Sequence, residues 1–342
     1  MGDDHDMAVA TIHQCPRCEL RFAYLSELQD HLRRDHLPAP DDDVPAPSPA
    51  VTGVITVPID PAGDSTLAVP IAAALARQAG MGVEIVAVPR ASLSWDACLA
   101  DPIREAVAGG APRAHGHLLV AYRPAGAIVD RVEHNDSALV CMATRSRTAV
   151  GEMVLGSVSA AVVRASPVPV LLVGPAVRQV GERVRRLVAC LDGSELAERA
   201  LPFATDLAQR LTAELVLVRV VPEGVLAPGD IPEVTYLRDL AERLPGPPPL
   251  FDVVQDRQPP RAITGYVGDR GDSLVVVATH GRGGLRKAVM GSVARGITHQ
   301  AGCPVLVVPP RAAQRVAPGS GGAVSPLTWD RGRDRPHHEP DV

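Results

Sequence analysis

The 342 residues carry a net charge of −5, and 46% of them are apolar while only 3% are aromatic. That length holds two ordinary domains and a small extra module, with cores built from Val, Leu, Ala and Ile. The mixed charge excludes a broad basic surface for nucleic acid, and no apolar run reaches the roughly eighteen residues of a membrane span. The acidic start, Met1 to Asp6, does not read as a signal peptide. Cys98, Cys141, Cys190 and Cys303 are scattered rather than spaced as a disulfide framework, so a reducing, cytoplasmic setting is expected.

The first element in chain order spans residues 11–37. Cys15 and Cys18 stand two residues apart, and His31 and His36 follow with four residues between them. Phe22 and Leu28 occupy the apolar positions between the pairs. A Cys pair on a tight turn and two His on successive turns of one helix close a tetrahedron around zinc. The segment therefore resembles a ββα two-Cys, two-His zinc finger holding Zn2+, whose small core needs the metal to fold. In such fingers the base-reading positions would fall on Tyr24, Glu27 and Asp30, and two carboxylates there disfavour sequence-specific DNA. An unidentified protein partner, or a purely structural role, is the expectation. Residues 38–50 are dense in Pro and Asp and read as a stiff, solvated linker, leaving the finger tethered rather than docked.

From residue 51 the chain alternates short apolar strands with Ala-rich helices, the pattern of parallel sheets covered on both faces. The first unit reads as strands Val51–Ile59, Val83–Val88, His117–Tyr122, Ala138–Ala143 and Val170–Val173. Helices are expected over Ser65–Gln78, 91–110, Pro124–His134 and Gly156–Ala165. The second unit reads as strands Leu187–Leu191, Glu214–Val221, Leu250–Gln255, Ser273–Thr279 and Val305–Val308. Its helices are expected over Glu195–Leu211, 233–244 and Pro260–Asp269, with one more opening at Gly291-Ser292.

The units repeat. Thr144, Gly156-Ser157 and Pro169 to Val173 align at a constant offset with Thr279, Gly291-Ser292 and Pro304 to Val308. In the second copy a glycine-rich loop ends one strand, and a glycine with a hydroxyl opens the next helix. Free backbone N–H groups and the helix dipole make that arrangement a cradle for anions.

The stretches LVACLDGSELAERAL, VVVATHGRGGLRKAVMGS and AGCPVLVVP resemble the universal stress protein family over roughly residues 51–310. The resemblance implies two tandem five-stranded parallel domains of the adenine-nucleotide alpha hydrolase type, 51–175 and 184–310. It also implies an ATP site in the second domain. Asp192, with Leu191 beside it, would hold the ribose or adenine region, and Val220 would offer backbone contacts to the base. Gly281, Gly291 and Ser292 would cradle the phosphates, with Val293 adding an N–H. The family's leading glycine is replaced by Ala278, whose methyl group could crowd the ligand. In the first copy both leading glycines are gone from Ala143-Thr144-Arg145-Ser146, and Pro61 alters the turn after Asp60, with Asp64 the other acidic candidate. That domain reads as a degenerate pairing partner. The two terminal apolar strands, Val170–Val173 and Val305–Val308, would cover each other as an internal pseudo-dimer. A homodimer remains open, and residues 311–342 read as a disordered tail.

No nucleophile and base are identifiable by spacing, so no catalytic residue is assigned, although slow ATP hydrolysis stays open. The resulting expectation is a cytoplasmic, ATP-binding stress-response regulator without membrane contact. The alternative is a nucleotide-free scaffold that uses the finger and the tandem domains for protein contacts.

Overall fold

A computed structural model describes residues 11–14, 20–22, 31, 53–61, 64–89, 94–119, 121–144, 155–178, 181–222, 232–268, 271–279 and 290–315. The strands are β1 Thr11–Gln14, β2 Arg21–Phe22, β3 Val54–Ile59, β4 Gly82–Ala87, β5 Ala114–Leu118, β6 Ser137–Ala143 and β7 Val170–Val173. They continue as β8 Arg186–Cys190, β9 Glu214–Val221, β10 Leu250–Gln255, β11 Ser273–Ala278 and β12 Val305–Val308. The helices are α1 Ala68–Ala79, α2 Trp95–Ala108, α3 Pro124–His134, α4 Ser157–Ala165 and α5 Glu195–Glu198. They continue as α6 Leu201–Leu211, α7 Pro232–Arg243, α8 Pro259–Val267, α9 Ser292–Gln300 and α10 Pro310–Arg315.

All the strands join one sheet in the order β2-β1-β10-β9-β8-β11-β12-β7-β6-β3-β4-β5. Within each half the strands run parallel. The halves meet where β12 pairs antiparallel with β7, Val305 opposite Leu172 and Val307 opposite Val170. The expected covering of two apolar terminal strands by each other is thus how the tandem units join. Strands buried on both faces need continuous apolar runs, and Val-Leu-Leu-Val in β7 and Val-Leu-Val-Val in β12 supply them.

One hydrophobic cluster lies on each face of the sheet, and each runs through both halves. The first joins Ile55, Ile85 and Leu139 to Leu187, Leu207 and Phe251, with Leu171 and Leu306 between them. The second joins Ile128 and Val163 to Ile263 and Ile297. Gln78 of α1 bridges the halves: its Nε2 donates to the carbonyls of Val184 (2.7 Å) and Leu211 (2.6 Å), and its Oε1 accepts the Val184 N–H (2.8 Å).

Several expectations require correction. β1 pairs antiparallel with β10, Thr11 opposite Val254 and Gln14 opposite Phe251, so the start of the finger segment is docked rather than tethered. An unpaired parallel edge strand exposes backbone donors and acceptors, and a passing strand satisfies them. The single helix expected over Glu195–Leu211 is two, because Pro202 lacks an N–H and instead opens α6. The third strand lies at Ala114–Leu118, short of the expected His117–Tyr122, in register with β4 from Val83–Ala114 onward. The helix expected from Ser65 begins with a 3-10 turn over Asp64–Leu67. The tail expected from residue 311 opens as α10, where Ala312 and Ala313 are buried and the Arg311 guanidinium lies 2.6 Å from Glu133. Residues 316–342 lie outside the described residues.

Candidate nucleotide site

Each half has the strand order three-two-one-four-five. In the second half β8 is flanked by β9 on one side and β11 on the other. The chain leaves β8 toward β9 and later returns beyond it to β11, so the connections diverge at the β8/β11 boundary. Such a switch point opens a crevice at the carboxyl ends of the strands, where ligands of open α/β sheets bind.

The described sequence-derived residues lie at or just beyond the carboxyl ends of β8, β9 and β11 and at the start of α9. Leu191 is buried just beyond β8, with its N–H donating to Val218 O at 2.8 Å. Asp192 follows, then Gly193 at φ 81, a left-handed turn natural to glycine. Val220 is half-buried near the end of β9. Ala278 is half-buried as the last residue of β11, opposite Val308. Gly291 caps α9 with φ −62 and ψ 159, and no side chain caps that helix. Ser292 and Val293 in its first turn are exposed. Gly281 lies outside the described residues.

Two details revise the roles read from the sequence. The Gly291 N–H already donates to Thr279 O at 2.6 Å. Gly291 therefore contributes an extended, side-chain-free approach to α9, and the N–H groups of the following turn are the ones left for an anion. Asp192 Oδ1 accepts from the Ser194 N–H (3.0 Å) and Ser194 Oγ (2.6 Å), while Ser194 Oγ accepts the Ala197 N–H (3.3 Å) to cap α5. This carboxylate shapes its own loop.

Thr279 Oγ1 is buried with no hydrogen-bond partner among the described residues. Its counterpart Thr144 donates its hydroxyl to Val173 O at 3.1 Å. Buried hydroxyls normally find a partner, so this one distinguishes the second copy from the first. Gly156 reproduces the geometry of Gly291, with φ −50 and ψ 147 before α4, so the first half keeps the backbone frame without the flanking glycines.

A polar group the sequence reading missed stands on α7, beside the same strand ends. The Tyr236 hydroxyl donates to Glu198 Oε1 at 3.0 Å, and the Arg219 guanidinium lies 4.9 Å above the Tyr236 ring. Arg219 also lies 3.8 Å from Glu233. Burial, followed by Glu198, holds the Tyr236 phenol well above its ordinary pKa, and Asp192 acts in the same direction. These residues come from three elements, so no spacing in the sequence marks them.

Of the predicted zinc ligands, His31 is helical and buried, whereas Cys15, Cys18 and His36 lie outside the described residues. Among the described residues no group of three metal-ligating side chains converges, and no helix is long and apolar enough to cross a membrane.

The fold defines a doubly wound α/β protein with a duplicated domain and a switch point in each half. The profile of the universal stress protein family matches residues 52–174 and again 183–309. The chain belongs to the universal stress protein family. Universal stress protein Rv2005c of Mycobacterium tuberculosis is 34% identical over 186 residues, 51% of this chain and 62% of that protein. The chain thus spans less than two thirds of the length of this curated relative. A solved universal stress protein from Archaeoglobus fulgidus DSM 4304 superposes with a TM-score of 0.54 at 17% identity, over 75% of this chain and 96% of that one. That likeness speaks to the fold alone. The universal stress protein from Archaeoglobus fulgidus solved in complex with dAMP is 22% identical over 35% of this chain and 96% of that one, with a TM-score of 0.29.

Proposed function

We propose that this protein is a cytoplasmic stress-response regulator that binds ATP in its second domain. The observation that carries the reading is the β8/β11 crevice, where the uncapped start of α9 and the orphaned Thr279 hydroxyl face the same strand ends. Asp192 and Val220 would hold the nucleoside, and the first-turn N–H groups of α9, Ser292 Oγ and Gly281 would hold the phosphates. Bound ATP would bring a flexible polyanion, which the helix dipole and free N–H groups favour. The thiols of Cys98, Cys141, Cys190 and Cys303 are free, in keeping with a reducing compartment.

The N-terminal segment is proposed to complete a zinc-bound ββα module for protein contacts, with sequence-specific DNA disfavoured. In support, β1 and β2 pair antiparallel with His13 opposite Phe22 and Gln14 opposite Arg21, and His31 is helical. One zinc per full-length chain, lost in Cys15→Ser, would support the module. Metal-free wild-type protein with an intact fold would overturn it.

A second reading, a nucleotide-free scaffold, is favoured by the commitment of Asp192 Oδ1 to its own loop and by the methyl group of Ala278. Equilibrium binding of labelled ATP separates the two. Saturable binding is expected, strengthened several-fold in Ala278→Gly and abolished in Gly291→Val. Absence of binding to wild type and Ala278→Gly at millimolar ATP would leave the scaffold.

A further inference from the structure

The opposite rim of the sheet holds a second polar feature. A cavity of about 480 Å³ lies at the amino ends of β8 and β9, between α1 of the first half and the second half. Its size falls within the roughly 300–1,000 Å³ of small-molecule sites. Arg183, Arg185 and Arg186 line one side. Val184 is buried, whereas its neighbours Arg183 and Arg185 are exposed. Neither of their guanidinium groups has a partner among the described residues. Arg186 lies 3.8 Å from Glu214, and its Nε is buried without a hydrogen-bond partner among the described residues. Three arginines and two acidic residues, Glu214 and Asp272, thus contribute to the lining.

Thr212 forms a further part of the wall. It caps α6 at φ 48 and ψ 44, and it is the only non-glycine residue with positive φ among the described residues. The first half has Gly80 at the matching place, two residues before its second strand, at φ 66 and ψ 33. A β-branched side chain in the left-handed region is strained, and glycine meets the same turn without strain. Strain of this kind collects at ligand sites. Retaining a threonine where the duplicate has glycine puts a hydroxyl-bearing side chain into the lining that the arginines share.

We propose that this cavity is a second ligand site that takes a small phosphate ester. The guanidinium groups of Arg183 and Arg185 would receive the phosphate, assisted by the Thr212 hydroxyl. Planar guanidinium forks match phosphate oxygens, and a neighbouring hydroxyl adds a donor. Glu214 and Asp272 would accept hydroxyl or amino protons from the rest of the ligand. Because Gln78 of the first half lines the cavity and Arg183 belongs to the connection between halves, occupancy would brace the two halves against each other. The site is separate from the crevice and does not depend on ATP binding.

Calorimetric titration of the full chain with inorganic phosphate and with glycerol 3-phosphate tests the proposal. Saturable millimolar binding is expected for both, tighter for the ester and unchanged in Gly291→Val. It should weaken about tenfold or more in Arg185→Gln and in Thr212→Gly, the scale of one lost charge-assisted hydrogen bond. Thr212→Gly should also raise the Tm of the ligand-free protein, which keeps a weakened titration distinct from misfolding. The proposal is overturned if neither probe binds at tens of millimolar, if the double variant Arg183→Gln, Arg185→Gln binds as wild type, if binding disappears in Gly291→Val, or if Thr212→Gly leaves the ligand-free Tm unchanged or lowers it.

Discussion

At the scale of single residues, burial decides behaviour that composition cannot. Cys141 and Cys303 are both buried, and the loss of hydration pushes each thiol up to about 12. In the unfolded chain a thiol ionises near pH 8.5. Below that value both states hold the proton and these groups leave stability unchanged with pH. Above it the unfolded chain releases protons that the folded chain keeps, so stability falls as pH rises from about 9 toward 12, by up to about 1.4 kcal/mol per pH unit for each thiol. Denaturant titrations across that range are expected to show the decline, shallower in Cys141→Ala. A flat profile for wild type would mean that the thiols are accessible in the fold. The sequence already set Cys141 inside the apolar strand Ala138–Ala143 and Cys303 beside Val305–Val308, whereas the strained Thr212 was not visible there. Its significance rests on a backbone angle and on arginines from another segment.

At the scale of elements, periodicity made most of the fold legible. The strands Glu214–Val221 and Leu250–Gln255 and the helix Pro124–His134 stand where apolar runs and Pro punctuation placed them. β5 was less legible because it pairs on one side alone and alternates in exposure, so its polar neighbours blur both ends. The meeting of β7 and α9 was not legible at all. A Cβ on Gly174, just past β7, would lie 1.9 Å from Thr298 O on α9, so the backbone approaches where no side chain fits. Gly174→Ala is expected to cost about 2 kcal/mol or more, because the clash is with backbone rather than with a movable side chain. Chemical denaturation measures it, and a cost below about 0.5 kcal/mol would show that the halves slide freely at this point.

At the scale of the whole molecule, the duplication becomes a single body. The two hydrophobic clusters run through both halves, and the β12–β7 ladder closes the backbone bonds between them. Unfolding one half would strip apolar cover and strand partners from the other. One calorimetric transition is expected, with calorimetric and van't Hoff enthalpies in agreement. Two resolved transitions would show that the halves are independent domains joined only by a linker.

The sequence by itself determined the α/β alternation, the duplication, the inequality of the two glycine loops and the zinc-type spacing of Cys15, Cys18, His31 and His36. Each of these is a local or repeated pattern, written in side-chain period and in turn residues. The tertiary structure decided which edges pair, so β1 lies on β10 and β7 on β12. It also decided that Gly291 spends its N–H on Thr279, that Tyr236 stands beside the crevice, and that Thr212 shares a cavity with three arginines. Those outcomes depend on groups far apart in the chain and on their hydrogen-bond geometry, to which local periodicity carries no information.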